Sequence, residues 1–91
     1  MDDQAIKNEI VYAMVRKRIT GGNKKQVTTI VGMPLPSHLE GRGKALIDDL
    51  VQDGVVERYG GGHRANVRLS SLDAGVAYLR ANDGEVPFGF E

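Results

Sequence analysis

The stretch from Ser37 to Leu69, SHLEGRGKALIDDLVQDGVVERYGGGHRANVRL, constrains the fold more than any other part of the chain. It reads without a break as an amphipathic helix, a glycine stop, a short strand, a glycine-rich basic tip and a returning strand. Ser37, with Glu40 three residues later, has the capping-box pattern that opens a helix. Leu39, Gly43, Leu46, Ile47, Leu50 and Val51 follow at i, i+4, i+7, i+8, i+11 and i+12, an inner stripe of helical period. His38, Arg42, Lys44, Asp48, Asp49 and Gln52 fall on the outer side. Gly41 and Gly43 are poor helix residues, each costing about 1 kcal/mol relative to Ala. Either the helix effectively starts near Arg42, or the glycines let another backbone approach closely. Gly54, after Asp53, supplies the stop.

Beyond that stop, Val55, Val56 and Tyr59 fit one strand, and Ala65, Val67 and Leu69 alternate on its partner. Gly60, Gly61 and Gly62 form a tip that tolerates positive φ. Ser70 or Ser71 caps a further helix, with Leu72, Val76 and Leu79 on its inner side and Asn82-Asp83-Gly84 at its end. Upstream, Ile6, Ile10, Ala13, Met14 and Ile19 predict a first helix from about Asp3 to Arg18, stopped by Gly21 and Gly22. Arg16, Lys17 and Arg18 would then lie in its last turn, where cations suit the helix dipole. Asn23 is the expected cap of a short second helix, Lys24 to Val31; its β-branched Val27, Thr28, Thr29, Ile30 and Val31 leave a strand there as the alternative. Met33-Pro34-Leu35-Pro36 reads as a rigid connector.

With 91 residues and 41% apolar side chains, the chain suffices for one domain with one modest core. Residues 1–84 are read as that domain and 85–91 as a tail. The lack of long apolar runs excludes a membrane span, and MDDQ has no secretory character. The chain has no cysteine, hence no disulfide framework and no thiolate metal site. The expected location is the cytoplasm. Formal charge sums to zero, but unevenly. Lys7, Arg16, Lys17, Arg18, Lys24, Lys25, Arg42 and Lys44 face only Glu9 and Glu40 within residues 7–44. Asp48, Asp49, Asp53 and Glu57 follow, then basic Arg58, Arg64 and Arg68. A neutral total can therefore contain a basic face.

The order helix, helix, helix, strand, strand, helix, with LIDDLVQDGVVERY leading into a basic hairpin tip, resembles the winged helix-turn-helix superfamily, in particular small prokaryotic transcription regulators. The resemblance covers residues 4 to about 82. It implies an α+β, mainly α fold: a three-helix core, a two-stranded wing and a C-terminal fourth helix. It also implies double-stranded DNA as the partner, with the third helix in the major groove and the wing on the flanking backbone. Carried onto this chain, the contacts fall on Ser37, His38, Arg42 and Lys44 of the third helix. The wing contributes Arg58, His63, Arg64 and Arg68, and the Arg16–Lys25 region, with Arg16, Lys17, Arg18, Lys24 and Lys25, anchors phosphate. This expectation requires charge from distant stretches to converge on one surface. The competing reading is a protein-interaction module on the same fold. RNA is disfavoured by the scarcity of stacking aromatics.

Enzyme signatures fail. Ala45 follows Gly43-Lys44 where a phosphate-binding loop needs Ser or Thr, and the glycine run lacks the strand-to-helix context of a dinucleotide site. His63 and His38 have no metal-ligand spacing, and no cofactor or small-molecule ligand is expected. Tyr78, Phe88 and Phe90 are hard to bury in so small a domain, which points to a homodimer through the first and fourth helices and the tail.

Overall fold

The computed structural model describes residues 1–61 and 65–91. In chain order the elements are α1 (Asp3–Arg16), β1 (Lys25–Gln26), α2 (Val27–Gly32), a 3-10 turn (Ser37–Leu39), α3 (Glu40–Gln52), β2 (Val56–Tyr59), β3 (Asn66–Leu69) and α4 (Leu72–Ala81). The fold is α+β and mainly helical. Helix α1 packs against both α3 and α4, α2 packs against α3, and β3 touches α1 and α4. Ile6, Ile10, Met14, Ile30, Ile47, Leu50, Val67, Leu69 and Leu79 meet in one core between the helices and the inner face of the sheet. Among the described residues no helix is long and apolar enough to cross a membrane.

The sheet has three antiparallel strands in the order β1-β3-β2. Lys25 pairs with Val67 and Gln26 with Asn66, so the two residues ahead of α2 form an edge strand where the sequence suggested a helix start. No local pattern could announce so short a strand, because its partner lies about forty residues downstream. Asn23 does not cap α2. Its side chain donates to the Arg18 carbonyl, and Gln26 occupies the cap position.

Helix α1 ends earlier than the glycine pair at 21–22. Arg18 takes the left-handed conformation (φ 53°), while its N–H bonds to Val15 and that of Ile19 to Met14. That is a Schellman stop carried by a non-glycine residue. The same pattern ends α3 at Gly54, as expected; α4 ends with Asp83 in the left-handed region (φ 57°) and the Gly84 N–H bonded back to Leu79.

The expected capping box at Ser37 and Glu40 is not formed. Ser37 opens a 3-10 turn with no side-chain cap, and α3 begins at Glu40. Glu40 instead reaches back toward α2, where a Cβ on Gly32 would lie 3.3 Å from its Oε1. Gly43 is buried, and a Cβ there would meet Leu35 Cδ1 at 2.6 Å and Val31 Cγ1 at 3.3 Å. The close approach is therefore by side chains of α2 and the connector rather than by backbone. Nothing lies within 4 Å of a Cβ on Gly41.

Of the two serines before α4, Ser71 accepts from the Ala74 N–H, whereas Ser70 donates its hydroxyl to the Gly54 carbonyl. Segment 85–91 packs against the body: Pro87 is buried, and Val86 and Phe90 lie against the core. Tyr78 and Phe90 are thus half-buried, contrary to the sequence expectation. The Tyr78 hydroxyl accepts from Gln4 of α1, and Phe90 lies under the Arg18 guanidinium. Phe88 alone of the three is exposed.

Candidate functional site

Among the described residues, the sequence-selected basic residues do not all converge on one patch; the strand pleat sets Arg68 apart from Lys25 and Arg58. Arg58 is in register with buried Val67, whereas Arg68 is opposite Glu57, so the two arginines project from opposite faces of the sheet. Lys25 is also in register with Val67, from the other side of β3. Lys25 and Arg58 therefore flank Val67 on the inner, α3-bearing side. Ser37 and His38 are exposed in the turn that leads into α3, and Lys44 is exposed one turn further on. Gly62, His63 and Arg64, chosen as the wing tip, lie outside the described residues.

Three of the chosen arginines hold internal carboxylates. Arg42 makes a two-pronged contact with Asp3 at the start of α1, Nε donating to Oδ1 at 3.0 Å and a second nitrogen to Oδ2. Arg58 pairs with Asp48 of α3. Arg68 Nε donates to Glu57 Oε1 at 2.8 Å, and its Nη1 donates to the Gly21 carbonyl at 2.6 Å. A fourth pair, Lys7 Nζ to Asp49 at 3.4 Å, ties α1 to α3 beside Arg42. The hydrogen bond from Arg42 holds the Asp3 carboxyl below its ordinary value, and Asp3 in turn raises the Arg42 guanidinium. Hydrogen bonds from Arg68 and then Tyr59 lower Glu57.

The outer face of the sheet carries a second cluster that the sequence did not announce. The Tyr59 ring has Lys24 Nζ at 4.6 Å and the Arg68 guanidinium at 4.9 Å from its centroid. Its hydroxyl donates to Glu57 Oε1 at 3.1 Å. Val56 and Tyr59, read as sharing a strand, point to opposite faces because they are three residues apart. The Glu57–Arg68 pair was within reach of sequence reasoning, since the hairpin register places those residues opposite each other. Asp3 and Asp48 were not, because their pairing depends on how α1 and β2 dock on α3.

Among the described residues, Lys25 and Lys44 make no ion pair, and Lys24 engages only the Tyr59 ring. No group of three or more metal-ligating side chains occurs among the described residues. No protein-family model matches the chain, and neither a curated protein nor a solved structure does.

Proposed function

We propose that this chain is a winged helix-turn-helix domain that binds double-stranded DNA and regulates transcription. The observation that carries the reading is topological. Helices α2 and α3 pack together, a β2–β3 hairpin follows α3, and β3 pairs with a β1 that runs straight into α2. That order and strand arrangement support the winged-helix reading, under which α3 would be the helix that enters the major groove. Ser37 and His38 precede its first turn, and Lys44 stands exposed beside them in sequence. Lys24 and Lys25, immediately ahead of α2, suit phosphate contacts. Arg42 and Arg58 join by exchanging an exposed carboxylate for a phosphate. Solvent-exposed ion pairs are weak enough to be exchanged in this way.

The ion pairing also favours a second reading, a protein-interaction module of the same fold, because three arginines are already neutralised. A salt series separates the two. Retention of random duplex DNA is expected to weaken steeply as salt rises, since phosphate contacts release condensed counterions. Lys25→Ala and Lys44→Ala should each reduce the slope of log affinity against log salt by about one and weaken all sequences alike. Arg80→Ala, on α4, should leave it unchanged. No salt-dependent retention of duplex DNA at low salt, or loss caused equally by Arg80→Ala, would refute the DNA reading.

A further inference from the structure

The segment after α4 is built as a frame that presents one aromatic ring. Asp83 and Gly84 close α4, the Gly84 N–H donating to Leu79 O at 2.7 Å, and Asn8 of α1 donates to the Asn82 carbonyl at 3.1 Å. Space at Gly84 is tight: a Cβ there would lie 2.8 Å from Leu79 and 3.1 Å from Asn8. The chain then makes a turn in which the Phe90 N–H donates to the Pro87 carbonyl at 3.1 Å, with Gly89 at φ 92°. Pro87 is buried, Arg18 covers the Phe90 ring at 4.7 Å, and Arg80 donates to the Glu91 carbonyl at 3.1 Å. The Gly89 N–H donates to Glu91 Oε1 at 2.7 Å. Every neighbour of Phe88 is thus fixed, while Phe88 itself is 95% exposed at the tip. A ring held out on a fixed turn loses little further freedom when it is buried, which is the property of a binding anchor.

The same chain carries a surface of matching chemistry. A groove of about 380 Å³ runs along the outer side of α1, lined by Glu9, Tyr12, Ala13, Arg16 and Lys17 with Met33 and Pro34. Met33 is 42% exposed there, a large apolar side chain without cover. Arg16 and Lys17 give the end near the α1 C-terminus positive charge, and Glu9 lies toward its start. Phe88 lies between Glu85 and Glu91 in sequence, with Arg18 and Arg80 at the base of the turn rather than at its tip.

We propose that the occupant of this groove is the Phe88 turn of a second copy of the chain. Phe88 seats on Tyr12, Ala13, Met33 and Pro34, with the acidic flanks toward Arg16 and Lys17. Each copy carries both halves, and the proposal commits to the two-fold arrangement, which uses the contact twice and closes as a dimer; a head-to-tail use of the same contact would instead build larger species. None of Lys25, Ser37, His38 and Lys44 lines the groove, and sedimentation of the chain alone involves no DNA, so this proposal can fail without the DNA reading failing.

Sedimentation velocity on the full chain over a concentration series tests it. The wild-type chain is expected to pass from monomer to dimer as concentration rises. Phe88→Ala removes the anchor, and Ala13→Glu fills the groove and repels the acidic flanks. Each should weaken self-association by roughly 10-fold or more, as loss of an interface anchor does, with circular dichroism and melting unchanged. Arg16→Glu, at an exposed position, repeats the groove test should Ala13→Glu disturb the fold. The decisive arm mixes Phe88→Ala with Ala13→Glu in equal amounts. One intact contact then remains per mixed pair, and partial association should return. A wild-type chain that stays monomeric throughout overturns the proposal. So does a Phe88→Ala chain that dimerises like wild type, or a mixture that recovers nothing.

Discussion

Gly41 and Gly43 stand two residues apart in α3, and changing each to alanine should move stability in opposite directions. Both substitutions gain helix propensity, up to about 1 kcal/mol. Gly41 is exposed, has no neighbour within 4 Å of an added Cβ, and does not have positive φ. Gly41→Ala should therefore keep most of that gain. At Gly43 the new methyl would sit 2.6 Å from Leu35 Cδ1 and 3.3 Å from Val31 Cγ1. Leu35 is itself 5% exposed and Val31 fully buried, so neither can swing into solvent. Overpacking of this kind costs about 1–3 kcal/mol. The propensity gain offsets part of it, leaving Gly43→Ala about 0–2 kcal/mol less stable than wild type. The two variants should differ by about 1–3 kcal/mol. At roughly 4–8 °C per kcal/mol for a domain of this size, that is a separation of at least several degrees in melting midpoint. Urea denaturation of the three proteins side by side gives the free energies directly. Equal stability of the two variants, or a stabilised Gly43→Ala, would refute the close approach of α2 and the connector to α3.

Two further outcomes follow from the caps and ion pairs. Ser71→Ala should destabilise the fold by about 1 kcal/mol in the same assay, because it removes the side-chain acceptor at the Ala74 N–H. Asp3 and Glu57 both have depressed carboxyl values when folded. They therefore add stability above the ordinary carboxylate range, and that contribution is lost as pH falls through their lowered values. Asp3→Asn and Glu57→Gln should flatten the acid limb of a denaturation-midpoint titration, and an unchanged limb in both would contradict the ion pairs.

Legibility in the sequence followed the range of the interaction. The stripe of α3, its stop at Gly54, the β2–β3 pairing and the inner face of α4 all rest on local periodicity or punctuation. All were readable in advance. The β1 strand was not, because Lys25 and Gln26 are strand only by virtue of Val67 and Asn66. The end of α1 was misplaced because an arginine, not a glycine, takes the left-handed stop. Ser37 and Glu40 satisfied a capping pattern whose partners went elsewhere, Glu40 toward Gly32. At the candidate site the positions of the basic residues were legible, but their occupancy was not. Whether Arg42 meets solvent or Asp3 is decided by the docking of α1 on α3, which no single segment encodes.

The carboxylates on Arg42, Arg58 and Arg68 act as built-in counterions. A polyanion that takes one of these arginines displaces a group tethered to the same molecule, and the freed carboxylate then gathers cations from solution. Counterion release from the polyanion is thereby partly cancelled. The dependence of binding on salt should consequently be shallower than the number of arginines touched, while Lys25 and Lys44, which have no such tethered partner among the described residues, count in full.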